Sequence, residues 1–133
     1  MSLSWIVIGL FVAFIALNVV LGQVAARRAK ALRGKPLPAL PGELGRRISS
    51  APRALVYFFT PSCAACRPIT PRMKDLAEHG SPVFPVDASR DPELAMALRV
   101  MATPTTLEVQ DGKVINAYVG GLLPGALWDR FAH

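Results

Sequence analysis

ALVYFFTPSCAAC, residues 54–66, is the segment of this chain that decides its fold. Its first six residues are a continuous apolar run, which is typical of a central strand covered on both faces. It ends in Cys63-Ala64-Ala65-Cys66, which contains the only two cysteines among the 133 residues. Such a pair between a strand and a helix is easily oxidised and reduced, because the free N–H groups of a helix N-terminus favour a thiolate on the first cysteine. The segment therefore predicts electron exchange with the disulfides of other proteins.

The residues around this segment predict alternating helices and strands. Asp111-Gly112 is a strong signal for a hairpin between two strands. In chain order we expect a helix over residues 43–50, a strand over 54–59, a helix over 63–79 that Pro68 and Pro71 must kink or start later, a strand over 82–86, a helix over 92–98, strands over 105–110 and 113–119, and a helix over 124–131. This order predicts an α/β domain, in which helices flank a mixed central sheet.

The N-terminal segment has no charged side chain from residue 3 to residue 26. About 20 apolar residues in a helix span the hydrocarbon core of a bilayer, so we expect residues 1–26 to form a transmembrane anchor. A cleaved signal peptide is the competing interpretation, but it needs a positive N-terminal region, and residues 1–4 contain no basic side chain. A buried core helix that is apolar all round does not fit a domain this small.

The net charge of +6 is concentrated behind this anchor. Residues 27–53 hold eight basic side chains and one acidic one, whereas residues 54–133 hold seven basic and eight acidic ones. We therefore expect no nucleic-acid partner, because that function needs a basic face on the folded domain. A basic arm suits an anionic lipid surface instead.

The chain accordingly divides into the anchor, a basic and then Pro-rich linker over residues 27–42, and a domain over residues 43–133. Prolines recur through residues 36–41, so this half of the linker is expected to be an extended, semi-rigid spacer. Basic residues follow the anchor and none precedes it, which predicts the N-terminus outside and the domain on the cytoplasmic side. The periplasmic side remains the alternative, because a lone C-x-x-C suits either compartment.

Several further residues stand at spacings that resemble those of the thioredoxin family. They are Pro71 five residues after the second cysteine, Pro104 in a Thr-Pro-Thr context 41 residues after the first, and Gly112, Gly120 and Gly125 in and after the hairpin. The resemblance covers about residues 43–133. It implies a thioredoxin-like fold, preceded here by one transmembrane helix.

The resemblance also implies the chemistry of the two cysteines. Cys63 would be the exposed nucleophile, whose thiolate attacks a substrate disulfide, and the more buried Cys66 would be the resolving thiol that releases the reduced substrate. The implied partners are protein disulfide or dithiol substrates and an electron donor that the sequence does not identify. No cofactor or metal is implied. Zinc needs four ligands, and the two histidines stand apart from the cysteines.

Other site residues follow from the same resemblance. Thr103 and Pro104, joined by a cis peptide bond, would bind a substrate strand, because a proline lacks the N–H that would close a local ladder. Thr60 or Ser62 could cap the active-site helix, and Pro71 would support the site.

The sequence departs from the family at several positions around the cysteines. Ser62 replaces the usual tryptophan, Ala64-Ala65 replaces Gly-Pro, and Tyr57 replaces a buried acid whose partner lysine would fall near Pro85. A membrane-tethered disulfide reductase is the main interpretation. A thioredoxin-fold binding module, or an outward-facing redox protein of the cytochrome-maturation type, is the alternative.

Overall fold

A mixed sheet carries the two cysteines at the end of one of its central strands. The structure, a computed structural model, describes residues 2–30 and 34–132. Its elements are α1 (Leu3–Lys30), α2 (Gly42–Ser50), β1 (Arg53–Phe59), α3 (Thr70–Glu78), β2 (Val83–Asp87), α4 (Pro92–Ala97), β3 (Thr105–Gln110), β4 (Lys113–Val119) and α5 (Gly125–Phe131). The strand order β2-β1-β3-β4 confirms the predicted α/β architecture.

Strand β1 runs parallel to β2 and antiparallel to β3, and β3 forms a hairpin with β4. Asp111 and Gly112 at the hairpin tip have φ values of 51° and 75°. Positive φ at both central residues is what a two-residue hairpin turn of the favoured hand requires. The predicted hairpin is confirmed.

The apolar run at residues 54–59 is buried on both faces of the sheet. Ala54, Val56 and Phe58 belong to a core cluster with residues of α2 and α4, whereas Leu55 and Tyr57 belong to a second cluster with residues of α3 and α5. Each helix layer therefore removes one face of β1 from water, which explains why this strand shows no polar alternation.

Helix α1 contains a 22-residue segment, Leu3–Val24, with a mean hydropathy of 2.5 and no part buried against the domain. At 1.5 Å per residue this segment is long enough to cross a membrane, and a signal sequence meets the same criteria. Residues 31–33 of the predicted linker, and the two terminal residues, lie outside the described residues.

The Pro-rich half of the linker is docked on the domain instead of extending away from it. The N–H groups of Gly34 and Leu37 donate hydrogen bonds to the carbonyl oxygens of Val114 (2.6 Å) and Gly112 (2.8 Å). Leu37 and Leu40 also pack against the core. The outer edge of β4 offers unpaired backbone groups, and an extended segment can pair with them even where prolines interrupt it.

Candidate active site

Cys63 and Cys66 form a disulfide just beyond the C-terminal end of β1, with their Cα atoms 5.3 Å apart. Cys66 is 1% exposed, whereas Cys63 is only partly buried. A partner disulfide can therefore approach the sulfur of Cys63 more readily than that of Cys66.

The segment between the cysteines and α3 is a series of turns. Of the two effects predicted for Pro68 and Pro71, a kink or a later helix start, the structure shows the later start, because α3 begins at Thr70 and not at Cys63. Pro68 and Pro71 lack the N–H groups that a regular helix would need there. Tight turns replace it, such as the bond from the Arg67 N–H to the Ala64 carbonyl (3.3 Å).

These turns nevertheless aim a backbone donor at the first cysteine. The N–H of Cys66 points at Sγ of Cys63 from 3.2 Å. In the reduced protein a donor at this position would favour the thiolate of Cys63 over its thiol. A local turn, and not a helix terminus, therefore places an N–H group next to the first cysteine.

Thr60 and Ser62 do not cap the active-site helix. Their hydroxyl oxygens lie 3.5 Å from each other, and α3 has Ile69 at its N-cap without a side-chain hydrogen bond. The capping prediction is wrong, because α3 begins too late in the chain and has Ile69, not Thr60 or Ser62, at its N-cap. Pro71 stands in the first turn of α3, where a missing N–H costs nothing.

The carbonyl oxygen of Cys66 accepts an unusual number of hydrogen bonds. The N–H groups of Ile69 and Thr70 approach it at 3.0 and 2.9 Å, and the Thr70 hydroxyl donates to it at 3.0 Å. The Tyr57 hydroxyl is 3.3 Å from the same oxygen and 2.9 Å from Oγ1 of Thr70. Together these donors fix the peptide of the buried cysteine.

Tyr57 thus places a neutral hydroxyl behind Cys66. Its side chain is fully buried, and burial raises its pKa above the ordinary value, an effect that the Thr70 hydrogen bond partly offsets. Pro85 pairs with Tyr57 across β1 and β2, as expected for the position of the missing lysine. The charged pair expected from the family is therefore replaced by uncharged groups.

Thr103 and Pro104 lie at the same edge of the sheet as the cysteines. The register pairs Phe58 of β1 with Thr105, so Pro104 stands beside the exit of β1. The peptide bond between Thr103 and Pro104 is cis, as the resemblance to the thioredoxin family implies. Within the described part of the chain, the Thr103 backbone has no hydrogen-bond partner, which leaves it able to pair with another strand.

A cleft of about 460 Å³ lies on the other side of the disulfide, toward β2. Its charged lining residues are Arg67, Lys74, Asp87 and Arg90. Sequence reasoning assigned neither these four residues nor Thr70 to the site. Two features could have placed these residues at the site. Thr70 stands four residues after Cys66, and the parallel strands β1 and β2 end at the same edge of the sheet.

Known proteins resemble this chain over its folded domain. The thioredoxin family model matches residues 42–131. The chain is 30% identical to thioredoxin of Streptomyces clavuligerus over 82 residues, which covers 60% of the chain and 77% of that protein. It is 31% identical to mitochondrial thioredoxin of Mus musculus over 78 residues, covering 56% of the chain but only 47% of that protein.

Solved structures agree with the sequence comparisons. A mutant thioredoxin from Halobacterium salinarum superimposes with a TM-score of 0.57 at 26% identity, covering 69% of this chain and 84% of that one. Fasciola hepatica thioredoxin gives a TM-score of 0.51 at 28% identity, covering 60% and 78%. The sheet order, the disulfide at the end of β1 and the family match show that the chain belongs to the thioredoxin family of thiol–disulfide oxidoreductases.

Proposed function

We propose that the chain reduces protein disulfides at a membrane surface, with Cys63 as the nucleophile and Cys66 as the resolving thiol. The observation that carries this assignment is the asymmetry of the pair. Both cysteines line the cleft, but Cys63 is only partly buried, whereas Cys66 is 1% exposed and its N–H points at the Cys63 sulfur.

The reaction begins with both cysteines reduced. The Cys63 thiolate attacks one sulfur of the client disulfide, a mixed disulfide forms, and the other client sulfur leaves as a thiolate that takes up a proton. Cys66 then loses its proton and attacks Cys63, and the second client thiol is released. The client gains two electrons and two protons, and the chain is left with the Cys63–Cys66 disulfide. A donor dithiol returns the chain to its reduced form.

Thr103 and Pro104 supply the binding edge in this proposal. The backbone of Thr103, which has no hydrogen-bond partner among the described residues, pairs with an extended client segment and holds the client sulfur near Cys63. The cis bond is compatible with this function, because Pro104 adds no N–H that would compete for the client.

The membrane part of the proposal rests on α1 and on the charge that follows it. The apolar segment Leu3–Val24 anchors the chain, and the basic residues behind it keep the domain on the cytoplasmic side. A reporter fused after residue 133 tests both statements. Fractionation with membranes and a cytoplasmic signal are expected. Reporter activity on the outer side of the membrane would show that the domain faces outward. A soluble, shortened product would show that α1 is a signal sequence.

Cysteine variants of the full chain in a zwitterionic detergent test the chemistry. Cys63→Ser is expected to abolish turnover of a peptide disulfide, because no thiolate remains that can reach the client. Lys113→Gln is the matched control, since this exposed side chain lies at the opposite end of β4 from the site. Turnover by Cys63→Ser at the parent rate would contradict the assignment, and client binding without any turnover by the parent would favour the binding module.

A further inference from the structure

The cleft beside the disulfide is positively charged. Arg67, Lys74 and Arg90 line it against one carboxylate, that of Asp87. Asp87 accepts hydrogen bonds from the N–H (2.9 Å) and the hydroxyl (2.6 Å) of Ser89, which lower its pKa and keep it ionised. The charged groups facing the cleft therefore leave an excess of two positive charges next to the reactive sulfur.

The three cations are available to a ligand. Among the described residues, neither Arg67 nor Lys74 has a carboxylate within ion-pair distance, and Arg90 reaches Asp87 only at 3.8 Å with 89% of its side chain exposed. Lys74 holds its ammonium group over the ring of Phe59, 5.2 Å from the ring centre. This contact orients the side chain toward the cleft without neutralising its charge.

The opposite side of the disulfide has a different character. Residues 101–104 and 120–123 contain no charged side chain, and Met101 and Leu122 are 64% and 95% exposed there. A client that pairs with the Thr103 backbone and presents its sulfur to Cys63 therefore meets an uncharged surface on one side and the cations on the other.

We propose that the preferred clients carry acidic residues next to the cysteine that Cys63 attacks, and that this acidic segment binds in the cleft through Arg67, Lys74 and Arg90. This inference rests on the proposed disulfide reduction and adds the substrate class. Charge complementarity supports a peptide occupant, since a client chain crossing the disulfide must continue over the cleft.

Two peptide disulfides that differ only in their flanking residues, four glutamates or four glutamines, test the inference on the full chain in zwitterionic detergent. Arg67→Gln/Lys74→Gln is expected to lower kcat/KM for the glutamate peptide about 10-fold, at roughly 3-fold per exposed charge pair. The glutamine peptide should change less than about 2-fold, and Lys113→Gln should affect neither. The preference should also shrink as salt is raised toward 1 M, where the screening length falls to about 3 Å.

Equal loss for both peptides would show that the cations act on the cysteines and not on the client, and would overturn the inference. Equal turnover of both peptides by the parent would overturn it as well. A separate measurement uses the oxidised chain and the glutamate peptide with serine in place of cysteine, followed by fluorescence anisotropy. Binding that weakens in the double variant supports the acidic segment even if turnover is absent, in which case only the proposed reduction fails. No binding by the parent contradicts the inference directly.

Discussion

Replacing Tyr57 with phenylalanine tests whether the hydroxyl behind Cys66 stabilises the fold. The hydroxyl is within hydrogen-bond distance of Thr70 Oγ1 (2.9 Å) and of the Cys66 carbonyl oxygen (3.3 Å). The Thr70 hydroxyl keeps the Cys66 carbonyl as its acceptor, so the substitution strands no buried donor. The phenol has one proton and donates one hydrogen bond, so at about 0.5–1.5 kcal/mol net per hydrogen bond Tyr57→Phe should lower the free energy of unfolding by about 0.5–1.5 kcal/mol.

The same substitution has a pH signature. Burial raises the pKa of Tyr57 in the folded state above its ordinary value of 10.0, so the folded protein holds this proton more tightly than the unfolded chain does. Stability from the neutral phenol is fully present below pH 10.0 and is lost as the pH rises through the folded-state pKa. Tyr57→Phe should remove this part of the alkaline loss.

Urea denaturation of the full chain in detergent, followed by near-UV circular dichroism at neutral pH and at about pH 11, measures both effects. Tyr118→Phe is the matched control, because Tyr118 lies on the same face of the sheet, across Thr106 from Tyr57. Tyr118→Phe should lose as much stability at high pH as the parent protein does. The reasoning is refuted if Tyr57→Phe unfolds at the parent urea concentration and loses as much stability at high pH as the parent.

Two further pairs of substitutions probe the fold and not the chemistry of the cysteines. Arg130→Leu should destabilise the fold more than Glu108→Leu. It removes the guanidinium that lies 2.9 Å from the Glu108 carboxylate, and the Glu108 side chain, 4% exposed, would keep its charge without a cation. Equal urea midpoints for the two variants would contradict this prediction. Gly120→Ala should cost about 1–2 kcal/mol, since Gly120 has a φ of +99°, whereas Gly125→Ala should be neutral or slightly stabilising. Thermal unfolding of the two glycine variants measures the difference between them. Equal melting temperatures would contradict the argument that the positive φ of Gly120 makes its substitution costly.

The sheet could be predicted closely from the sequence because its signals are local. The apolar run at residues 54–59 and the Asp111-Gly112 turn locate β1 and the β3–β4 hairpin, and the hairpin strands have the predicted ends. Continuous hydrophobicity and turn chemistry depend on neighbours in the chain, so no knowledge of distant contacts is needed.

The start of the active-site helix could not be predicted as well, because two local signals conflict. The C-x-x-C pattern favours a helix from Cys63, whereas Pro68 and Pro71 remove hydrogen-bond donors from its first turns. In the structure the prolines prevail, and α3 begins at Thr70. This single difference also removes the capping function predicted for Thr60 or Ser62.

The remaining features depend on contacts between distant parts of the chain. The cationic cleft combines Arg67 before α3 and Lys74 in α3 with Arg90 after β2, and the Pro-rich segment pairs with the edge of β4. The ion pair between the buried Glu108 and the exposed Arg130 joins β3 to α5 across 22 positions. The alternation of apolar and polar residues along one strand does not predict which charged side chain forms an ion pair with a residue of another element.

The proposed order of attack, Cys63 before Cys66, has one direct test. The reduced Cys66→Ala variant is mixed with a peptide disulfide, and the product is digested and mapped by mass spectrometry. The account predicts a stable mixed disulfide between the peptide and Cys63, and rapid release of the peptide when Cys66 is present. A Cys63→Ala variant that forms a mixed disulfide through Cys66 just as fast would contradict it.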